Sequence, residues 1–197
     1  MNTVLKLNKN DGPVDLSDFK NVTTLELFCY EHPIDITKNT KLVSLKIFKY
    51  KYPVDISQNI KLEKLQLTGN ECPIKNEVNP YGLSKNINLK TLDLYFYNHS
   101  IDISQNTQLT TLKLQGYSHP IDISNNKELI TLDLNYYAFP LNIKHHYNLT
   151  TLLYSYVEGF THNTRKINLN EIKETNKYNE IIEIINNHRH QRCILDK

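Results

Sequence analysis

The sequence predicts an α/β fold: a solenoid with a parallel β-sheet on its concave side, extended or 3₁₀-like return segments, and a C-terminal helical cap. Three observations predict it. A Leu-x-x-Leu-x-Leu phrase recurs, mostly every 20 residues. A second phrase, Pro-(Ile/Val)-Asp-(Ile/Leu)-(Ser/Thr), recurs between its copies, and the apolar pattern changes near residue 170. A fixed period of this kind is typical of repeat proteins whose units stack on their neighbours.

The first predicted element is a partial strand from Val4 to Leu7, at an edge of the sheet that is open to pairing. The strands that follow are the Leu-x-Leu segments, because this alternation places both leucines on one side of a strand. Stacked coils then bury the leucines that a single coil cannot bury. The seven copies are Val22/Leu25/Leu27, Leu42/Leu45/Ile47, Leu62/Leu65/Leu67, Leu89/Leu92/Leu94, Leu109/Leu112/Leu114, Leu129/Leu132/Leu134 and Leu149/Leu152.

The return segments contain a proline and β-branched residues and lack the 3.6-residue spacing of a helix, so they are predicted to be extended or 3₁₀-like. One coil is longer, with an insertion near residues 75–82 that carries the turn formers Asn, Pro and Gly. This insertion is either a tolerated surface loop or a recognition loop, and the sequence leaves both interpretations open.

The chain is predicted to divide into a solenoid of about seven coils at residues 1–157 and a C-terminal cap at residues 158–197. Isoleucines at helical spacings, with Glu early and His or Arg late, predict a helix near residues 170–190. A solenoid needs its last coil covered, which favours a cap, and the alternative is a docking helix for a partner.

Two further residue types recur at fixed places. Tyrosine stands three residues after the last strand leucine, and asparagine stands two residues after the Ser or Thr of the return phrase. We predict a stacked tyrosine column at one corner and a backbone-satisfying asparagine column at another. The members are Tyr30, Tyr50, Tyr97, Tyr117 and Tyr137, and Asn39, Asn59, Asn86, Asn106 and Asn126.

The LxxLxL phrase and the short return segment resemble the leucine-rich repeat family over roughly residues 3–157. The repeats are similar to those of bacterial internalins, in which Asp-Ile-Ser also recurs. The chain is rich in Asn, Ile, Lys and Tyr, and this composition is similar to that of leucine-rich repeat proteins of giant amoeba-infecting DNA viruses. The chain departs from the family where tyrosine replaces the usual asparagine after the strand. The resemblance implies a non-catalytic protein-interaction module.

The concave strand surface is the predicted binding face. Aromatic side chains on the open face of a sheet have no core to fill and suit a protein-binding hot spot, which points to Phe28, Phe48 and Tyr95. Opposite charges stand on neighbouring strands, with Glu26 beside Lys46 and Lys113 between Asp93 and Asp133. These five charges either fix the sheet register or belong to the binding site.

Metal and cofactor binding are not expected. The Asp-x-Ser-x-Asn phrase lacks the Gly and the distal Glu of a calcium loop, and turn hydrogen bonding is the favoured use of Asp15, Asp35, Asp55, Asp102 and Asp122. A second column contains His32, His99 and His119. We favour a packed or solvated ladder of side chains over a metal site for this column. No phosphate loop, nucleophile elbow or HExxH motif occurs, so the protein is not expected to be an enzyme.

The whole-chain properties restrict the partner. The formal net charge is +2, and the charges are spread along the chain, so neither nucleic acid nor a membrane surface is expected to bind. With three cysteines and no signal-peptide pattern, we expect an intracellular protein, in the cytoplasm, or in the host cytoplasm or virion if it is viral. A protein partner of unknown identity is expected, with a monomer as the favoured state. A structural, self-assembling component is the alternative function.

Overall fold

The computed structural model describes residues 3–69, 74–75, 83–158, 161–171, 179–181 and 183. Two 3₁₀ helices occur there, at Leu16–Asp18 and Leu169–Glu171. The strands are β1 (Thr3–Asn8), β2 (Val22–Phe28), β3 (Ser44–Phe48), β4 (Val54–Asp55), β5 (Lys64–Thr68), β6 (Ile74–Lys75), β7 (Thr91–Tyr95), β8 (Thr111–Lys113), β9 (Thr131–Leu134), β10 (Thr151–Glu158) and β11 (Thr161–Asn168).

The main sheet follows the predicted repeats. Its order is β1-β2-β3-β5-β7-β8-β9-β10-β11, and every pair from β1 to β10 is parallel. Equivalent repeat positions lie side by side, even where the coil is longer, since Leu65 still pairs with Leu92. The predicted solenoid of about seven stacked coils is confirmed, with the parallel sheet that the LxxLxL phrase indicates.

The core lies inside the coils. In β2 the burial alternates along the strand, with Leu25 and Leu27 buried and Glu26 between them facing solvent. The first leucine of each phrase, such as Leu42, and the return isoleucines, such as Ile36, fill the space behind the strands. Each coil therefore contributes apolar side chains from both its strand and its return segment, and the core runs continuously from coil to coil.

A ladder of buried asparagines ties the coils together. Each asparagine Nδ2 donates to two carbonyls of the preceding coil, as Asn59 does to Ile36 and Asn39 at 3.0 Å each. We call this set the asparagine ladder. Its rungs are Asn39, Asn59, Asn86, Asn106 and Asn126, and His146 takes the next place by a contact of 3.0 Å between its Nε2 and the Ile123 carbonyl. The predicted asparagine column is confirmed.

The tyrosine column is also confirmed. All five rings are buried, and the rings of Tyr117 and Tyr137 stack with centroids 6.3 Å apart and planes 7° from parallel. Their hydroxyls reach the backbone of the preceding coil: the Ile101 amide donates to Tyr117 at 2.9 Å, and the Ile121 amide donates to Tyr137 at 3.2 Å. A phenol here fills a larger space than an amide and still satisfies a buried backbone group.

The return segments are held by aspartate turns. The Oδ1 of each repeated aspartate accepts a hydrogen bond from the backbone amide two residues later, at 2.8 to 2.9 Å, and these bonds occur at Asp15, Asp35, Asp55, Asp102 and Asp122. The predicted turn role of these residues is therefore confirmed. On the same side, β4 pairs in parallel with β6 as a separate two-stranded sheet. Residues 76–82 of the predicted insertion lie outside the described residues.

The turn that follows each strand uses a left-handed residue. Its φ angle is 95° at Gly69 and 64° at Gly116. At Gly116 an added Cβ would lie 2.6 Å from the Phe96 ring, so a side chain has no room. Non-glycine residues occupy the same place in four other coils, although this conformation costs them roughly 1 kcal/mol or more. They are Cys29, Lys49, Phe96 and Tyr136.

The C-terminal end contains a strand that the sequence analysis did not predict. β11 pairs antiparallel with β10 and follows it in a hairpin, so the segment assigned to a helical cap begins as a β-strand. Residues 179–181 and 183 are helical, and Ile181 packs against the core. The rest of the predicted helix at 170–190 lies outside the described residues, apart from the 3₁₀ turn that ends at Glu171. The boundary between 157 and 158 stays a prediction.

Within the described part of the chain, no helix has both the length and the apolar character required to cross a membrane.

We expect that removing one rung of the asparagine ladder destabilises the solenoid. Asn106→Ala deletes two buried hydrogen bonds, to the carbonyls of Leu83 and Asn86, so the free energy of unfolding should fall by about 2 to 3 kcal/mol. Asn88→Ala is the matched control, because its amide donates to the Ile60 carbonyl at the exposed surface. Urea unfolding followed by circular dichroism measures both. Equal losses in the two variants would contradict the structural role of the ladder.

We also expect the tyrosine column to make the protein sensitive to alkali. Burial raises the pKa of Tyr117 to about 12 and raises the pKa of Tyr137 as well. Because an unfolded tyrosine loses its proton near pH ~10, the free energy of unfolding should fall above that pH, by about 1.4 kcal/mol per pH unit for each such tyrosine. The stabilisation that the buried, protonated tyrosines supply is fully present below pH ~10.

The measurement is a parallel titration of tyrosinate absorbance and circular dichroism. Ionisation of the buried rings should accompany unfolding, and Tyr117→Phe should weaken the pH dependence while Tyr147→Phe, at an exposed ring, should not. Ionisation of all 13 tyrosines near pH ~10 in a chain that stays folded would contradict the buried column.

Candidate functional site

The register of the sheet assembles columns of side chains on its concave face. Residues between the two strand leucines form one column, in which Gln66 pairs with Asp93 and Asp93 with Lys113. Residues just after the second leucine form another, in which Phe48 pairs with Thr68 and Thr68 with Tyr95. Because neighbouring strands lie about 4.8 Å apart, side chains from successive coils contact one another across the face.

These columns line an open groove of about 500 Å³, which we call the concave groove. Six of the eight residues predicted as binding residues line it, and they come from four different coils. Gln66, Thr68 and Gln115 line it as well, and the sequence analysis did not select them because they are neither aromatic nor charged. Their positions in the two columns could have identified them. The predicted residues in the lining are Phe28, Lys46, Phe48, Asp93, Tyr95 and Lys113.

The three predicted aromatic side chains lie in one column and are accessible. Phe28 and Phe48 contact each other on adjacent strands, with ring centroids 6.3 Å apart and planes tilted by 42°. Tyr95 is 42% exposed and meets the ring of Phe96 edge-on at 4.8 Å. The column therefore contains a pair of rings and, beyond the small Thr68, a third ring.

The charges at the N-terminal end of the groove pair differently from the sequence prediction. Glu26 and Lys46 are neighbours in the register, as predicted. However, the Glu26 carboxylate forms its ion pair with Lys6 of β1, at 2.9 Å. The Lys46 ammonium lies instead above the Phe28 ring, 5.3 Å from its centroid. Lys6 of β1 and Lys46 of β3 both lie opposite Glu26 in the register, and the carboxylate pairs with Lys6.

In the middle of the groove Asp93 faces Lys113, with Oδ2 and Nζ 3.7 Å apart. Burial raises the pKa of the Asp93 carboxyl above its usual value, and the attraction of Lys113 offsets only part of this effect. The carboxylate is thus partly desolvated and pairs with the Lys113 ammonium at a long distance. A group in this state makes the folded chain less stable at neutral pH.

At the C-terminal end, Asp133 is buried and does not line the groove. Its Oδ2 accepts a hydrogen bond of 2.6 Å from Gln115, and its Oδ1 accepts one of 3.0 Å from the Asn135 amide. Ser155 then donates to the Asn135 side chain at 3.0 Å. The predicted alternation of Lys113 between two aspartates therefore holds in the register, but the structure gives Asp133 an amide partner rather than the lysine.

A second cavity, of about 230 Å³, lies beside the N-terminal end of the groove. Phe48 lines the groove, and the next residue, Lys49, lines this cavity together with Lys51 and the free Cys29. Two lysine ammonium groups lie over rings: Lys49 is 5.5 Å from the Phe48 centroid and Lys51 is 5.2 Å from that of Tyr52. The sequence analysis did not identify these lysines, because they follow the strand rather than belong to it.

The histidine column packs against the tyrosine column, as the favoured interpretation requires. His32 lies 5.5 Å from the Tyr30 ring and His119 lies 5.8 Å from the Tyr117 ring. Over the part of the chain that the structure describes, no three His, Cys, Asp or Glu side chains lie close enough together to hold a metal ion. The repeated aspartates are committed to their turns, and hydrogen bonds from Ser17 and Ser124 lower the pKa of Asp15 and Asp122.

Comparisons with known proteins find distant similarity among solved structures. Neither a protein-family profile nor a curated protein sequence matches the chain. Among solved structures it is similar to an internalin (inlF) from Listeria monocytogenes, at 16% identity and a TM-score of 0.37, over 79% of this chain and 63% of that one. It is also similar to the functional domain of InlJ from Listeria monocytogenes, at 19% identity and a TM-score of 0.32, over 71% and 40%.

The chain spans less than two thirds of either internalin, and the similarity is too distant to transfer a partner. The structure itself shows a solenoid of leucine-rich repeats, since the LxxLxL strands stack in register as one parallel sheet.

Asp93→Asn tests the cost of burying the ionised Asp93 carboxylate in the groove. Because burial raises the pKa of Asp93, its ionised form opposes folding, and this cost is absent at low pH and grows as pH rises through that pKa. We therefore expect Asp93→Asn to raise the midpoint of urea unfolding at pH ~7 and to lose this advantage near pH ~4. Asp122→Asn is the control, because its pKa is lowered and it should show no gain. Destabilisation by Asp93→Asn at neutral pH would contradict this account.

Proposed function

We propose that this leucine-rich repeat solenoid is a non-catalytic protein–protein interaction module that binds its partner in the concave groove. The observation that carries the proposal is the set of accessible aromatic rings at the groove, on a face otherwise made of polar side chains. The proposed contact residues are Phe28, Phe48 and Tyr95, with Glu26, Lys46, Asp93, Lys113 and Asp133 as the accompanying charges.

The aromatic side chains are the proposed anchors. Phe28 and Phe48 contact each other and the lysines above them, yet both remain partly exposed because the core lies on the other side of their strands. A large apolar ring that water can reach gains free energy when a partner covers it, and aromatic residues dominate measured binding hot spots. Burying these rings against a partner would thus supply most of the affinity.

The charged residues divide by position. Lys46, Asp93 and Lys113 line the groove and are proposed to fix the orientation of the partner. Glu26 and Asp133 support the site indirectly, because Glu26 holds Lys6 and Asp133 holds the Gln115 amide, which lines the groove. Neither of these two is proposed to supply much binding energy.

The rigidity of the scaffold supports this role. Every groove residue lies on or beside a strand whose backbone is bonded to neighbours on both sides, and the asparagine ladder fixes the opposite corner of each coil. A surface that is already ordered loses little conformational entropy when it binds. The chain therefore presents its anchors at fixed distances rather than folding around the partner.

A second candidate function is self-assembly through the first strand. Among the described residues β1 pairs with β2 alone, and Val4 on it is 52% exposed. An unpaired strand edge is a template for a strand from another chain. Sedimentation velocity over a range of concentrations distinguishes the two candidates, because self-assembly through β1 requires association that increases with concentration and that Val4→Lys weakens.

Phe48→Ala is expected to weaken partner binding. Peptides from a random display library would be selected on the immobilised intact chain, then measured individually by fluorescence anisotropy. Phe48 contacts Phe28 as one half of the ring pair. Truncation should therefore raise the Kd about 5- to 30-fold, which corresponds to about 1 to 2 kcal/mol of binding free energy.

The control variant is Tyr147→Ala, which removes a ring that is 75% exposed and does not line the groove. It should leave the Kd unchanged, and circular dichroism should show that both variants are folded. Failure to select any peptide, or equal binding by intact chain and Phe48→Ala, would overturn the assignment of the groove as the binding site.

A further inference from the structure

We propose that the occupant of the concave groove is an acidic segment of a partner protein with an apolar anchor residue. The anchor enters between Phe48 and Tyr95, and the carboxylates pair with Lys46, Lys49 and Lys51, which we call the lysine rim. This inference rests on the proposed function and adds the chemistry of the partner to it.

Acidic and basic side chains near the groove differ in whether they have charge partners. The carboxylates near the groove are already engaged: Glu26 with Lys6 at 2.9 Å, Glu31 with Lys9 at 3.5 Å, and Asp93 with Lys113 at 3.7 Å. Asp133 accepts hydrogen bonds from Gln115 and from the Asn135 amide. Every carboxylate named here therefore has a partner within the chain.

The lysine rim is in the opposite state. Among the residues that the structure describes, none of its three ammonium groups forms an ion pair. Each lies instead over an aromatic ring, at 5.3, 5.5 and 5.2 Å from the centroid. An ammonium group has three donors, so it can bind a carboxylate while it keeps its ring contact. Within the described part of the chain, the rim thus consists of three cations that are held over rings and have no anionic partner.

The aromatic column contains a gap. The register places Thr68 between Phe48 and Tyr95, so the two rings stand on strands about 10 Å apart. After the thickness of the two rings is subtracted, the space above Thr68 is about 6 Å wide, which admits an aromatic or branched aliphatic side chain. The lining contains no other large side chain at this point of the column.

A basic partner segment fits less well. The only accessible carboxylate in the lining is Asp93, and a cation approaching it meets Lys113 at 3.7 Å from that carboxylate. Lys46 also acts electrostatically on Asp93 from the other side. Positive charge would therefore be repelled at the same place where it is attracted. Negative charge meets the lysine rim, where the carboxylate that lines the cavity of Lys49 and Lys51 is Glu31, and Lys9 already neutralises it.

The test uses fluorescein-labelled synthetic peptides that share a central phenylalanine and differ in its flanking residues, which are glutamates, glutamines or lysines. Anisotropy titrations with the intact chain should give a Kd for the glutamate peptide that is about tenfold lower than that for the glutamine peptide at low salt. This preference should shrink as salt rises to about 0.5 M, because screening shortens the range of the charges. The lysine peptide should bind most weakly.

Two variants separate charge from anchor. Lys46→Gln/Lys49→Gln should abolish the preference for the glutamate peptide, so that this variant binds the glutamate and glutamine peptides with the same Kd. Lys127→Gln/Lys144→Gln, which neutralises two exposed lysines away from the groove, is the matched control and should keep the preference. Phe48→Ala should weaken all peptides that bind.

The outcomes distinguish this inference from the proposed function. Equal Kd values for the glutamate and glutamine peptides, with binding that still depends on Phe48, would overturn the acidic partner and leave the groove assignment intact. The acidic partner would also be overturned if the lysine peptide, or single-stranded DNA, bound more tightly than the glutamate peptide. If no synthetic or library-selected peptide shows binding that depends on Phe48, both proposals fail.

Discussion

The stacking of the coils depends on the buried asparagine side chain. A parallel strand ladder fixes one side of a coil, but the opposite corner of each coil leaves backbone carbonyls inside the protein. Asn59 and its equivalents each donate twice to the carbonyls of the coil before, so every coil is bonded at two separate corners. With both corners fixed, a coil can neither rotate nor slip against its neighbour without breaking buried hydrogen bonds. The longer coil keeps the pattern, since Asn86 still reaches Asn59.

Fixed register means that each side chain lies beside its own equivalents, and this decides which residues are compatible with each column. Leucine, tyrosine and asparagine pack or bond favourably beside copies of themselves. Aspartate is tolerated beside aspartate only at the exposed turns, where water screens the repulsion and a backbone amide binds each carboxylate. The concave columns differ, because one of them changes from Phe48 to Thr68 and then to Tyr95 along successive coils. This face is where the sequence is free to vary, and a binding site requires variation.

Much of this organisation could be predicted from the sequence, because the repeat fixes which residues are neighbours. Period-two alternation placed Leu25 and Leu27 in the core, and the tyrosine and asparagine columns followed from their spacing. Ion-pair partners could not be predicted in the same way. Glu26 has a lysine on each adjacent strand, and it forms its ion pair with Lys6. β11 was also missed, because THNTRKIN has too few apolar residues to signal a strand and is ordered by pairing with β10. The left-handed Lys49 gave no signal either, because lysine rarely adopts this conformation.

The spacing of the strands has a further consequence for any extended segment that crosses them. Coils repeat every 4.8 Å or so, whereas side chains on one face of an extended peptide repeat every 6.8 Å or so. The two repeat distances match only at intervals of about 14 Å, which corresponds to three coils or to four residues of the peptide. Lys46 and Lys113 are three coils apart, and the coils between them fall out of step with the peptide. A long repeat surface of this kind reads a few separated positions of its partner and is indifferent to the residues between them.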